Sequence, residues 1–474
     1  VEGLALHVER ERAHARDRVP DQPIVRRGAR PPLPMSVGQK IFESIYDGLE
    51  HCEILHSWVS QRLVGPLDVQ ALEESFLEIV SRHASLRMQY PRDASGTPQL
   101  QVSDEPRLDF VFIPHTDDVE SAVVDAVARR FNLATGPLLR VLVVRLAPAE
   151  HLMTIIVHHS VFDAWSFGVL IRELSTLYTG RVTGKPVQLP PLPIDLQDYT
   201  AWLYEWLAGE GGRRSLEFWR RTFAGGEKPF ELPVDEVPAT AVGSRNFLIS
   251  GGVSDSTVRA LRELALQEGA MLSTVVLTAF AIAMSRWSGR DDVFIDVNHP
   301  CRLRPEVQDL IGFIAEVWVM RTNVGGGRSF LDVLRQIVTL SREATEHMQV
   351  PLGILFPELK KLPRTQPLLL TTFNYINRDF LGGRDGSTER LLAPDLRMEH
   401  VPKPMEATRF LAESTNKKLS VAIIETRESL SWSIEYAGHR FSEASVEAFS
   451  GNLARLLESV ASDPHFARAP LKRD

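Results

Sequence analysis

Two adjacent histidines and an aspartate four residues beyond the second, in His158-His159-Ser160-Val161-Phe162-Asp163, are the residues of this chain best suited to chemistry. They follow the β-branched run Thr154-Ile155-Ile156-Val157 and precede Ala164-Trp165-Ser166-Phe167, where a helical pattern starts. Imidazoles titrate near neutral pH, so two of them and a carboxylate at a strand-to-loop junction have the makings of proton-transfer machinery. The same residues have a structural reading: one histidine satisfied in the core, Asp163 in a turn and Ser166 capping a helix. For a single His-x-x-x-Asp taken alone that reading carries more weight. The doubled histidine and the ordered motifs elsewhere in the chain reverse it.

The elements that must position these residues follow from periodicity. Ser36 reads as a cap leading into Gln39-Lys40-Ile41-Phe42. A helix is expected at 69–83, with Leu72, Phe76, Ile79 and Val80 at helical spacing. Strands are expected at 85–90, 99–102, 108–113, 138–144 and 152–157, with a helix at 117–131 between them. Ser166 is expected to cap a helix whose Phe167, Leu170, Ile171, Leu174 and Leu177 form one apolar stripe. Further helices are expected at 196–208, 215–223, 255–267, 272–287 and 441–461, with a strand at 293–297. Strands mixed with helices in this order point to an α+β sandwich, not a regular βαβ alternation.

At 474 residues the chain exceeds what one core comfortably organises, so two domains are the default. The expected division is a lead at 1–34, a first lobe at 35–190, a connecting region of helices and Pro-rich crossings at 191–240, and a second lobe at 241–474. The lead reads equally as a small hairpin with linker or as a poorly ordered segment. The net charge of −8 argues against nucleic acid or an anionic membrane as the main partner. Cys52 and Cys301, the two cysteines, lie far apart in no metal-ligand spacing, so no metal is expected and a reducing compartment fits. No apolar stretch is long enough to span a bilayer and the first residues do not read as a signal peptide, so the expected location is the cytoplasm.

With the His-His-x-x-x-Asp segment placed, the chain resembles the condensation domains of nonribosomal peptide synthetases, within the chloramphenicol-acetyltransferase-like acyltransferases. The family's central His-His-x-x-x-Asp-Gly, often followed by Trp-Ser, stands here as His158, His159, Asp163, Ala164, Trp165 and Ser166. Ser36-Val37-Gly38-Gln39-Lys40-Ile41-Phe42 resembles the opening Ser-x-Ala-Gln motif in a loose form. Arg82-His83-Ala84-Ser85-Leu86-Arg87 is similar to Arg-His-x-x-Leu-Arg, and Asp198-Tyr199-Thr200-Ala201-Trp202 to Asp-Tyr-Ala-x-Trp. Arg302 and Leu310-Ile311-Gly312-Phe313 then follow at the family's spacing.

The resemblance implies a pseudo-dimer of two acetyltransferase-like α/β lobes set in a V, with a central tunnel. It implies a free-standing, monomeric condensation enzyme with no permanently bound cofactor. A donor carrier protein would supply an acyl, aminoacyl or peptidyl group as a phosphopantetheine thioester. Transfer to an amine or hydroxyl acceptor would then form an amide or ester. His159 is the implied catalytic group, with His158 and Asp163 beside it; Asp163 would pair with Arg302 from the other lobe as a bidentate clamp. Ala164, Trp165 and Ser166 are supporting residues, and Phe313 and Glu316 are expected to line the tunnel.

Three departures from the family pattern stand out: Ala164 for glycine, Glu316 for asparagine, and Asn298 and Cys301 within the usual Thr-Pro-x-Ala-Asn-Arg run. Glu316 could contact a cationic acceptor or simply be solvated. Two other functions stay open: a non-catalytic recruitment module, and a coenzyme A-dependent acyltransferase of the same fold.

Overall fold

In a computed structural model the described residues are 23–27, 35–224, 232–235, 246–359, 371–377, 390–401, 419–426 and 429–471. Most of the lead, and with it the expected hairpin, lies outside them. The strands, in chain order, are β1 (His56–Val64), β2 (Met88–Gln89), β3 (Gln101–Val102), β4 (Asp109–Ile113), β5 (Leu139–Ala147), β6 (Glu150–His158), β7 (Asn246–Val253), β8 (Asp292–His299), β9 (Glu316–Asn323), β10 (Thr371–Asn377), β11 (Arg390–Ala393), β12 (Leu396–Val401), β13 (Leu419–Glu425) and β14 (Leu430–Ala437). The chain divides into two compact units. The described residues of the first fall within Val1–Arg213, Pro300–Ala315 and Phe380–Leu411.

The first unit is built on the six-stranded sheet β11-β12-β1-β6-β5-β4, antiparallel except for the β4–β5 pair. β5 and β6 are near-continuous apolar runs, as central strands covered on both faces must be. Helix α1 (Val37–Tyr46) starts in a capping box, with Gln39 N–H donating to Ser36 Oγ at 3.2 Å and Ser36 N–H to Gln39 Oε1 at 2.9 Å. Helix α2 (Val69–Arg82) buries Leu72, Phe76, Ile79 and Val80, the four positions its periodicity marks. Helix α3 (Val119–Ala128) lies within the expected 117–131.

Helix α4 (Ala164–Thr183) buries Leu170, Ile171, Leu174 and Leu177, while Phe167 of the expected stripe is only half-buried. Its cap is Asp163, whose side chain accepts from Ser166 N–H, so Ser166 is not the cap but the third helical residue. Within the expected strand 85–90, Ala84–Arg87 form a 3₁₀ turn and only Met88–Gln89 pair, with β3. β1 was not expected: its buried positions include His56 and Ser60 beside Trp58, so the alternation of accessibility along it is not an alternation of hydrophobicity.

The second unit is built on β7-β14-β13-β10-β8-β9, with β10 parallel to both neighbours. Helices at Asp255–Gln267, Leu272–Ser288, Phe330–His347 and Glu443–Ser462 belong to it. The first two and the last match the expected segments within two residues at each end. In its core Phe280 packs on Phe373 and Phe449, and Trp432 Nε1 donates to Ser450 Oγ at 2.9 Å.

The contiguous division into 35–190, 191–240 and 241–474 is therefore replaced by an interleaved one. β12 pairs along β1 from Ser60↔Val401 to Val64↔Arg397, which draws 390–401 into the first unit. Among the described residues no single helix is long and apolar enough to cross a membrane, and no group of His, Cys, Asp and Glu could hold a metal ion.

Candidate active site

β6 ends at His158, and His159–Val161 form a 3₁₀ turn before Asp163 starts α4. The two histidines consequently face different surroundings. His158 is fully buried. Its Nδ1 accepts from Ser160 N–H at 3.2 Å and lies 2.8 Å from the Ser160 hydroxyl, which itself accepts from Tyr90 O–H at 3.3 Å. The hydrogen of the neutral ring is then on Nε2, which has no hydrogen-bond partner among the described residues. The rings of Tyr46, His56 and Phe131 surround it. Burial, with smaller contributions from His56 and His159, holds the His158 pKa well below the ordinary histidine value.

His159 is only half-buried. Its Nδ1 lies 2.8 Å from the Phe162 carbonyl and 3.2 Å from Ser57 Oγ. A carbonyl can only accept, so Nδ1 carries the hydrogen and Nε2 holds the lone pair. Phe42 stacks on the ring with centroids 5.1 Å apart, and Phe313 meets it edge-on at 5.2 Å.

Asp163 is buried and accepts three hydrogen bonds on each oxygen. Oδ1 takes Ser166 N–H (2.9 Å), Ser166 O–H (2.7 Å) and Arg302 Nη2 (3.0 Å). Oδ2 takes Arg302 Nη2 (3.1 Å) and the amides of Ile314 and Ala315 (both 3.1 Å). Burial alone would raise its pKa, but the Arg302 charge and these donors outweigh it and hold the carboxyl below its usual value.

Arg302 pairs with Asp163 through Nη2 alone, not as a two-nitrogen fork. Its Nη1 donates to the carbonyls of Val307 (2.7 Å) and Leu310 (2.5 Å). It also lies in the same compact unit as Asp163, since Pro300–Ala315 belongs there, and so does not come from the other unit. Trp165 joins this brace through Nε1–H to Gln308 O at 2.8 Å, with the Arg302 guanidinium 6.0 Å from its ring.

The departures now have structural contexts. Ala164 is exposed, is the first residue of α4, and has no positive φ, so its backbone does not demand glycine. Cys301 has φ 53°, the only described non-glycine residue with positive φ. The family's asparagine at this place is the residue type that best tolerates that region, and the cysteine adopts it too. Glu316 begins β9 in the second unit, cross-strand from His299. It is half-buried, and burial pushes its pKa up to about 7, against the pull of Leu352 N–H at 3.4 Å.

Five residues with contacts at the site were not anticipated from sequence. Ser57, Phe42 and Gly38 surround the His159 ring or its neighbour Phe313. His83 Nε2 donates to Glu173 at 2.9 Å and its Nδ1 accepts from Ile311 N–H at 3.3 Å. Ser85 O–H donates to Ile311 O at 2.6 Å. The Arg-His-x-x-Leu-Arg segment signalled the last two; nothing in the sequence signalled Ser57.

The condensation-domain family profile matches residues 43–471. The chain belongs to the condensation-domain family. It is 31% identical over 428 residues to phosphinothricin tripeptide synthetase PhsC of Streptomyces viridochromogenes, covering 87% of this chain and 38% of that protein. The chain thus spans well under half the length of this curated relative. In fold it is similar to the X-domain from teicoplanin biosynthesis, with TM-score 0.77, 24% identity, and 95% and 100% of the two chains covered. It is also similar to the condensation domain of the monacolin K polyketide synthase MokA, with TM-score 0.78, 16% identity, and 94% and 100% covered.

Proposed function

We propose that this condensation domain transfers an acyl, aminoacyl or peptidyl group from a carrier-protein phosphopantetheine thioester to an amine or hydroxyl, as an acyltransferase of natural-product biosynthesis. The observation that carries the reading is the His159 tautomer: Nδ1–H bound to Phe162 O makes Nε2 the basic nitrogen of a half-exposed ring. As the acceptor attacks the thioester carbonyl, the new C–N or C–O bond forms and Nε2 takes the acceptor's proton. Collapse of the tetrahedral intermediate breaks the C–S bond, and the proton passes to the departing thiolate. General base help of this kind is typically worth about 10²–10⁴-fold. The start of α4 at Ala164 lies at the positive end of the helix dipole, which would favour the oxyanion. His158 and Asp163 act through structure: one buried neutral behind the loop, the other anchoring it.

The test is intact-mass analysis of a loaded carrier protein offered mixed amines and alcohols. The His159→Ala variant is expected to lose product by about 10²-fold or more while still binding carrier. Unimpaired turnover by this variant would overturn the assignment. A recruitment module is the second reading, favoured by the fold likeness to the teicoplanin X-domain, one structure of which is a complex with OxyB. Product from the wild-type domain in the same assay excludes it.

A further inference from the structure

Glycine is among the poorest helix formers, yet Gly38 stands in the first turn of α1. Its φ is not positive, so conformation does not demand it; space does. A Cβ at this position would lie 2.3 Å from Cε1 of Phe313.

Phe313 belongs to a strap, residues 311–315, whose backbone is tied by side chains. Ile311 N–H donates to His83 and Ile311 O accepts from Ser85. Gly312 N–H donates to Ser166 Oγ, and Gly312 O accepts from Ser166 and Arg302. The Ile314 and Ala315 amides donate to Asp163. The Phe313 backbone therefore has little room to yield, and only its ring can move. One turn after Gly38, Phe42 meets Phe313 edge-on at 4.9 Å and stacks on His159 within 18° of parallel. Phe313 in turn meets His159 at 73°. Three rings close on one another.

From these contacts we infer that Phe42 and Phe313 are positioning residues that fix the plane of the His159 ring, and that Gly38 is the gap that admits Phe313 to this clamp. The Nδ1–H bond to Phe162 O, with the Ser57 hydroxyl beside it, acts at one edge of the ring and sets one direction, and the aromatic contacts act on tilt about that edge. The stacked face and the edge-on contact remove the tilt, so Nε2 presents its lone pair along one line. The kinetic part of this inference rests on the proposed acyl transfer; the geometric part does not.

Gly38→Ala adds a methyl that displaces the Phe313 ring, which is half-buried and can swing outward, while favouring the helix. The folded CD spectrum and cooperative unfolding are expected to be kept. The kcat is expected to fall about ten- to a hundredfold with KM changing by less than about twofold, as for a misplaced catalytic group. NMR of the His159 ring nitrogens is expected to show loss of the single Nδ1–H tautomer signature.

Phe42→Leu, which keeps an apolar residue but removes the stack, is expected to act similarly. Gly38→Ala in a Phe313→Ala background is expected to add nothing. Unchanged His159 resonances in Gly38→Ala and Phe42→Leu would overturn the clamp, as would full kcat in both. Wild-type protein inactive on every loaded carrier would defeat the acyl-transfer reading alone, and the NMR arm would still decide the clamp.

Discussion

His56 and His158 stand opposite each other where β1 pairs with β6, and both are buried. His56 Nδ1 donates to Val127 O at 2.7 Å, and its Nε2 accepts from Tyr46 O–H at 3.0 Å; the Tyr46 oxygen accepts from Phe131 N–H at 2.7 Å. A second proton on His56 would face the Tyr46 hydroxyl and break this chain. Desolvation lowers its pKa to about 4. The unfolded chain, with an ordinary histidine pKa, then binds more protons than the folded one between about pH 6.5 and 4. Stability contributed by the neutral ring is present above that window and is lost as pH falls through it, by up to about 3 kcal/mol. Glu316 works in the opposite sense, because its raised pKa weakens the fold as pH rises from about 4.5 to 7. Urea melts of wild type and His56→Gln across pH 4.5–7.5 separate the two. The difference in unfolding free energy between them is expected to shrink as pH falls, and a constant difference would refute the assignment. None of this was visible in the sequence, where His56 sits in no motif and its depressed pKa arises chiefly from burial between strands, with the charges of Arg140 and Arg130 adding to it.

At the scale of elements, the strap 311–315 and the start of α4 form one hydrogen-bonded unit centred on Asp163 and Arg302. Arg302→Met fills a similar volume but leaves the Asp163 carboxylate buried without its cation. It also leaves the Val307 and Leu310 carbonyls without their Nη1 donor. Breaking one partner of such a pair costs about 3–5 kcal/mol. Guanidinium unfolding at pH 7 is expected to show a loss of that size, and a change well under 1 kcal/mol would mean the pair is dispensable. Elements with one apolar stripe were legible: α2 and α4 follow their spacing closely, as does the helix at Leu272–Ser288. Elements whose inward residues are polar were not. β1 hides His56 and Ser60 on its buried positions, and the start of α4 was misplaced because Asp163, assigned to an ion pair, also serves as the cap. The partner of Asp163 was legible because Arg302 sits at a motif's spacing. The single-nitrogen geometry was not, since it depends on the Val307 and Leu310 carbonyls claiming the other nitrogen.

At the scale of the whole molecule, the chain order is not the order of the units. A reading by contiguous lobes puts the first lobe at 35–190 and its connection at 191–240, whereas the structure draws later segments into the first unit. Without 390–401, β1 loses β12 as its neighbour along Ser60–Val64, and the buried side chains of Leu392, Leu396 and Met398 leave the first unit's core. Ser175 and Thr179 of α4 lose the Leu392 carbonyl that both donate to. Gly65 would lose its close backbone neighbour Asp395, whose carbonyl approaches so near that no side chain fits there. Without 300–315, Asp163 loses Arg302 and both amide donors and stays a buried carboxylate held only by Ser166. Three buried apolar side chains at about 1.5–3 kcal/mol each, together with a stranded charge, exceed the few kcal/mol by which a domain is normally stable. A fragment of residues 35–240 is therefore expected to show no cooperative thermal unfolding transition and dispersed NMR amide signals only sparsely. The same fragment co-expressed with residues 241–474 is expected to recover both, because the missing strands and Arg302 are then supplied in trans. A cooperative transition in the isolated fragment would show that the first unit does not depend on the segments that return to it.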